Sequence, residues 1–224
     1  MSESAVVDPA VNFLADLAGG GSALELGIGT GRIALPLRQR GVHVHGIDLS
    51  PDMVAQLMAK PGAEEIAVTI GDFASTTVVG TFRLAYLVYN TITNLTTQDE
   101  QVECFCNVAA HLEPGGCFVV EVGIPELQRL PPGETFRAFT VSPTHLGFDE
   151  LDVATQGGVS HHYWVVDGQA RVFSLPYRYV WPSELDLMAR IAGMGLRERW
   201  SSWKRQPFTS DSGSHVSVWE KEKT

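Results

Sequence analysis

The chain has 224 residues, 44% of them hydrophobic, enough for one sizeable core and too few for two full cofactor-sized domains. Its 16 basic and 26 acidic residues leave a net charge of −10, the wrong sign for gripping a phosphate backbone, which argues against nucleic acid as a partner. No apolar run approaches the roughly 20 residues of a membrane span, the polar start Met1-Ser-Glu-Ser4 lacks a secretory pattern, and three cysteines without metal-ligand spacing point to a reducing cytoplasm and no metal.

In chain order, Asp8-Pro9 is expected to open a helix whose apolar face is Val11, Leu14 and Leu17 and which Gly19-Gly-Gly21 ends. Strand one follows at 23 to 27. The run Gly27-Ile-Gly-Thr-Gly31 reads as a glycine turn after it, and a helix then reaches about residue 40, bent at Pro36. Residues 42 to 48 form strand two, ending on Asp48. Ser50-Pro51-Asp52 is a helix start with a capping serine, proline in the first turn and an acid against the positive helix end. Residues 66 to 70 and 84 to 88 are short apolar runs, as strands covered on both faces require. Thr97 and Glu100 make a capping box for a helix carrying Val102, Phe105, Ala109 and Leu112 on one face, and residues 117 to 122 supply strand five.

Residues 124 to 180 break the alternation. Stretches 136 to 141, 148 to 153, 159 to 166 and 171 to 180 read as strands divided by Gly157-Gly158 and Asp167-Gly168, a small antiparallel sheet inserted after strand five. A last helix opens at Trp181-Pro182, strand six covers 196 to 202 and strand seven 214 to 220. The reading is one α/β domain over residues 1 to 224, with ligands at the carboxyl ends of the strands and the insertion as a substrate cap.

Two details separate the glycine turn from a dinucleotide site: Arg32 stands where that fingerprint needs glycine, and Glu25 precedes the first glycine by two positions. An acid at the entry suits a ligand with a cationic tail. On Glu25-Leu-Gly27-Ile-Gly29-Thr-Gly31, Asp48, Gly71-Asp72-Phe73, Leu87-Val-Tyr-Asn-Thr-Ile-Thr-Asn94 and His111-Leu-Glu-Pro-Gly-Gly116, in that order, the chain resembles the class I S-adenosylmethionine-dependent methyltransferases. The resemblance covers about residues 8 to 122 and implies a Rossmann-like seven-stranded sheet, mostly parallel, with an antiparallel seventh strand. It implies S-adenosyl-L-methionine as cofactor, touched by Glu25, Gly27, Gly29, Gly31, Asp48 and its neighbour Leu49, Asp72, Phe73, Tyr89 and Asn90. Tyr89-Asn-Thr-Ile92 lacks the Asn/Asp-Pro-Pro-aromatic signature of nucleic-acid amino methyltransferases. Relatives of this type also carry a helical lid before the first motif, often with a tyrosine; residues 1 to 22 hold none, so a short or missing lid is expected.

Among acid–base candidates, His215 begins strand seven at the ligand edge and is the first choice for a proton acceptor, with Glu121 at the end of strand five the second. His43 and His45 start strand two, away from that edge, and His161 and His162 point to opposite faces of one strand. Tyr163, Tyr177 and Tyr179 of the insertion and Trp203 of the last loop are expected to line a cavity for a small, partly apolar or aromatic acceptor. The expected activity is in-line transfer of a methyl group to oxygen, nitrogen or aromatic carbon. The alternatives are a nicotinamide-dependent oxidoreductase and a non-catalytic S-adenosylmethionine-binding module, and the inserted sheet has a homodimer contact as its alternative use.

Overall fold

Runs of consecutive apolar residues build the inner strands of the central sheet, which are covered on both faces, while its edges over residues 67–70 and 194–200 are partly exposed. The computed structural model describes residues 3–223; Met1 and Ser2 of the polar start lie outside the described residues. The strands are β1 Ala23–Leu26, β2 Val44–Asp48, β3 Ala67–Ile70, β4 Phe82–Leu87 and β5 Leu112–Gly123. Four more follow, β6 Phe136–Val141, β7 His145–Asp152, β8 Gly157–Val166 and β9 Gln169–Arg178, and then β10 Met194–Trp200 and β11 Ser214–Lys221. The helices are α1 Glu3–Ala18, α2 Ala34–Gln39, α3 Pro51–Met58, α4 Gln98–His111 and α5 Pro182–Ile191.

Seven strands form one sheet in the order β10-β11-β5-β4-β1-β2-β3, with β11 antiparallel to both neighbours. The order reverses between β1 and β4, which opens a crevice at their carboxyl ends. Helices α1, α2 and α3 cover one face with Phe13, Leu14, Leu37 and Leu57. Helices α4 and α5 cover the other, where Phe105 meets Phe118 and Trp219 edge-on at 5.0 and 5.4 Å. Each such fully buried side chain contributes about 1.5 to 3 kcal/mol.

Local differences from expectation have simple causes. Helix α1 begins at Glu3 and carries Pro9 inside it, rather than starting there. Pro36 stands in the first turn of α2, where no intrahelical N–H is required, so it permits the helix instead of bending it. Strand β5 starts at Leu112 because Leu112 already pairs with Phe82 before the ladder shifts register. The Ser50 and Thr97 caps form as expected, the latter as a complete capping box.

Strands β6 to β9 make the separate antiparallel sheet, an up-and-down meander. Asp167 (φ 52°) and Gly168 (φ 74°) close the β8–β9 hairpin in two residues, so β9 starts earlier than its apolar pattern suggests. A polar bolt fixes this sheet to the rest. The buried Gln101 amide of α4 donates to the carbonyls of Ile92, Leu95 and Arg178, and its oxygen accepts from Arg178 Nη1. Arg178 also pairs with Glu184 of α5 at 2.7 Å, and Glu184 accepts from Gln98 and Gln156.

Candidate active site

The turn after β1 is built around backbone that only glycine adopts at low cost: Gly27, Gly29 and Gly31 have φ of 70°, 53° and 76°. Their roles differ. A Cβ at Gly27 would meet Thr91 Cγ2 at 2.8 Å and one at Gly31 would meet Leu57 Cδ1 at 2.4 Å, so these two serve close packing. At Gly29 a Cβ would meet only Met53 Cε at 3.5 Å, which leaves this backbone open to a ligand.

Asp48, at the end of β2, accepts the Gly29 N–H at 2.6 Å on Oδ2 and the Ser50 N–H at 2.8 Å on Oδ1. Each oxygen keeps a further lone pair for a hydroxyl. Beside it Leu49 is 71% exposed and Met53 39% exposed, an apolar shelf next to a hydrogen-bonding acid. Glu25 lies beneath the turn, 2% exposed, accepting from the Tyr86 hydroxyl at 2.9 Å and from the Ala34 N–H. Burial, aided by the charge of Asp48, pushes its carboxyl up to about 8. It therefore acts on the site from below. Asp72 is exposed and closes its own turn by accepting the Ala74 N–H, while Phe73 packs into the core under α4 instead of presenting its ring.

At the end of β4, Tyr89 (φ 55°) and Asn90 (φ 61°) are consecutive left-handed residues, a conformation that costs about 1 to 3 kcal/mol each. Three contacts hold it. Glu121 Oε2 accepts the Tyr89 N–H at 3.0 Å, the Glu121 carbonyl accepts from Asn90 N, and Asn90 Oδ1 accepts the Gly123 N–H at 2.6 Å. The Tyr89 ring, 41% exposed, lies under the Arg32 guanidinium at 4.8 Å from its centroid, which ties it to the glycine turn.

A cavity of about 620 Å³ lies between this turn and the inserted sheet, lined by Tyr89, Asn90, Thr93 and Asn94 on one side. Alternate residues of the insertion form the other wall, among them Arg137, Asp149, Ser160, Leu175, Tyr177 and Tyr179. Outward along the same face, His145 stacks on Trp164 with ring centroids 3.6 Å apart and hydrogen-bonds His162 at 3.0 Å, and His162 stacks on Phe173 at 4.7 Å. A larger hollow of about 850 Å³, lined by Leu127, Leu130, Pro131 and Glu150, touches neither Tyr89 nor Asn90.

Tyr177 and Tyr179 thus stand where an acceptor cavity was expected, and three other expected residues do not. Tyr163 lies on the opposite face of β8, stacked over Phe148, because the strand alternation that brings Ser160 and His162 inward sends it outward. Trp203 packs edge-on against Phe13 of α1 and donates to Glu121 Oε1 at 2.7 Å. His215 is fully buried over the α5 face: Arg199 Nε donates to Ser217 Oγ, whose hydroxyl is then free to donate to His215 Nδ1 at 2.7 Å. Its Nε2 meets no partner among the described residues, and burial with the nearby Arg199 charge pulls its pKa down to about 4. Such a group is a packed neutral imidazole, not a proton acceptor facing substrate. Glu121 Oε2 accepts from Tyr89 and Oε1 from Trp203, so its carboxylate braces this turn. Asp149 and Arg137 were missed; the period of two along β6 and β7 marked both, but nothing in the sequence told which face looks inward.

A methyltransferase domain family matches residues 23–116. The chain is 28% identical over 211 residues to the cypemycin N-terminal methyltransferase of a Streptomyces species, covering 91% of this chain and 84% of that one. Among solved structures it is similar to the CcbJ methyltransferase of Streptomyces caelestis, at 36% identity and a TM-score of 0.86, over 96% of this chain and 88% of that chain. It also shares its fold with S-adenosylmethionine-bound CalS10 of Micromonospora echinaspora, an amino pentose methyltransferase, at 20% identity, 97% and 91% coverage and a TM-score of 0.72.

Proposed function

Because the chain belongs to the class I S-adenosylmethionine-dependent methyltransferases, we propose that it methylates a nitrogen of a small molecule held in the 620 Å³ cavity. One observation carries this reading: the strained Tyr89–Asn90 turn is shared by the crevice at the β1 and β4 carboxyl ends and by the wall of that cavity. The residues present fit the cofactor. Asp48 has lone pairs for the ribose hydroxyls, Leu49 and Met53 offer an apolar shelf for adenine, the open Gly29 backbone admits the chain between them, and Asp72 stands at the adenine side.

The bound cofactor supplies a methyl group already activated by its sulfonium. The protein's own share is orientation: the Tyr89–Asn90 turn, held by Glu121 and Gly123, fixes where an acceptor can approach, and such alignment is worth about 7 to 11 kcal/mol in favourable cases. The inserted sheet walls the cavity on one side and acts as the acceptor cap of a single domain. Nitrogen is favoured over oxygen because an amine, once its ammonium proton has passed to water, brings its own lone pair, whereas a hydroxyl needs a stronger base to lose its proton. The cypemycin enzyme, by its name, acts at a peptide N-terminus, and CalS10 on an amino sugar.

No helix among the described residues is long and apolar enough to cross a membrane. The free thiols of Cys104, Cys106 and Cys117 favour the cytoplasm. The exposed outer apolar residues of the insertion, Phe136 and Val172 among them, suit a homodimer, which sedimentation decides. Calorimetric titration with S-adenosylmethionine and with NAD tests the cofactor assignment. Binding of the former alone supports it, and tighter binding of NAD contradicts it.

A further inference from the structure

The wall of the cavity carries one carboxylate with no cationic partner. Asp149 of β7 makes no ion pair among the described residues, whereas Arg137 on the same face is paired with Glu126. Its polar neighbours are instead two neutral hydroxyls, that of Ser160, directly across in β8 and 3.3 Å from His162 Nε2, and that of Tyr177 of β9. Its surroundings are fixed by the sheet register and not by loops.

The charge balance of this wall is negative. Arg137, directly across from Asp149 in β6, forms its ion pair with Glu126, and it and His162 act on Asp149 through space without an ion pair, so the remaining charge is that of Asp149. Partial burial holds its carboxyl above the usual carboxylate range, with the two hydroxyls pulling the other way, a sign that the present neighbours do not fully replace the lost water. An incoming cation would do so. The aromatic residues Phe139, Tyr177 and Tyr179 line the same space.

We infer that Asp149, with the Ser160 and Tyr177 hydroxyls, is the site that recognises a protonated amino group on the acceptor and so selects amines over isosteric alcohols. The inference rests on the cavity being the acceptor site of the methyltransferase. Recognition is electrostatic: the ammonium form binds, and it gives up one proton to water before the neutral nitrogen's lone pair takes the methyl group, so Asp149 selects the guest and forms no covalent bond. Three side chains from three adjacent strands converge on one point, which fixes the direction of approach as well as the charge of the guest. The aromatic and imidazole strip from His162 to Trp164 extends that face beyond the anchor, so an acceptor longer than the cavity keeps contact with the sheet.

The test titrates phenethylamine and 2-phenylethanol, a cationic and a neutral probe of nearly equal shape, into the enzyme with S-adenosylhomocysteine bound. Phenethylamine is expected to bind at least about tenfold tighter than the alcohol, and Asp149→Asn to abolish that preference while leaving the alcohol and S-adenosylhomocysteine affinities unchanged, a tenfold ratio being about 1.4 kcal/mol. Arg137→Gln, which removes the cancelling cation without touching Asp149, is expected to strengthen phenethylamine binding and keeps the test open if Asp149→Asn fails to fold. Equal affinity for the two probes in the native enzyme, or a preference that survives Asp149→Asn, overturns the assignment. Failure to bind S-adenosylhomocysteine instead overturns the cofactor reading on which it rests; retained binding without amine preference sinks the role of Asp149 alone.

Discussion

Glu25 and His215 are both buried ionisable groups, and they pull stability in opposite directions with pH. The folded pKa of Glu25, about 8, lies above its ordinary 4.5, so the folded state holds the extra proton and stability falls as pH rises from 4.5 to 8, then levels. Glu25→Gln is therefore expected to match the native protein in stability at low pH and to exceed it by a margin that grows through that window, up to roughly 4 to 5 kcal/mol before the lost Tyr86 and Ala34 contacts are subtracted. Denaturant unfolding at several pH values measures the margin, and a margin that shrinks with pH contradicts it. His215 has the reverse sign. Its folded pKa, about 4, lies below its ordinary 6.5, so the unfolded chain binds the extra proton and stability falls on acidification from 6.5 to 4. His215→Leu should flatten that acid slope, by up to about 3 kcal/mol, and keep turnover per folded molecule. A hundredfold loss of turnover in a stable variant would restore His215 as a base. Asp48→Ala removes the lone pairs offered to the ribose hydroxyls, each charge-assisted bond being worth roughly 1.5 to 3 kcal/mol, so S-adenosylmethionine affinity should fall at least about tenfold by calorimetry. Unchanged affinity would remove Asp48 from the site.

Among elements, the inserted sheet depends on its bolt. Gln101 satisfies three carbonyls and Arg178 at once in a buried position, and cutting it leaves several polar groups without partners. Gln101→Leu is expected to destabilise the fold by about 2 to 5 kcal/mol and to expose the junction between β9 and α5 to limited proteolysis before the central sheet is cut. Simultaneous loss of both parts would show that the two sheets unfold as one unit. The sequence already marked the last hairpin of this sheet through Asp167-Gly168 and the helix that follows it through Trp181-Pro182. It did not mark Gln101, because a glutamine near the start of a capped amphipathic helix is indistinguishable from a surface residue until its neighbours are known. The shift of β7 to His145 was hidden for a related reason: the register with Trp164 is set by stacking across strands, not by the apolar pattern within one.

For the whole molecule, the order of elements and the glycine, Asp48 and Tyr89–Asn90 motifs were legible because their chemistry is local: a glycine turn, a cap or a strand end can be read within about ten residues. The acceptor side was legible only as a supply of aromatic residues. Which face of the meander looks inward is decided by how α4 and α5 hold β9, and that long-range choice put Tyr177 and Tyr179 in the cavity and Tyr163 outside it. Likewise His215 stands at the right end of the right strand, yet the strand alternation turns its ring toward Arg199 and α5. The central claim is that a nucleoside crevice and an amine cavity meet at Tyr89–Asn90. Its most direct test is incubation with S-adenosylmethionine carrying a deuterated methyl group and a mixture of matched amines and alcohols, followed by mass spectrometry of the products. The labelled methyl group is predicted on nitrogen, with loss of transfer in Asp48→Ala, whereas label found only on oxygen or carbon, or transfer untouched by that substitution, would contradict the account.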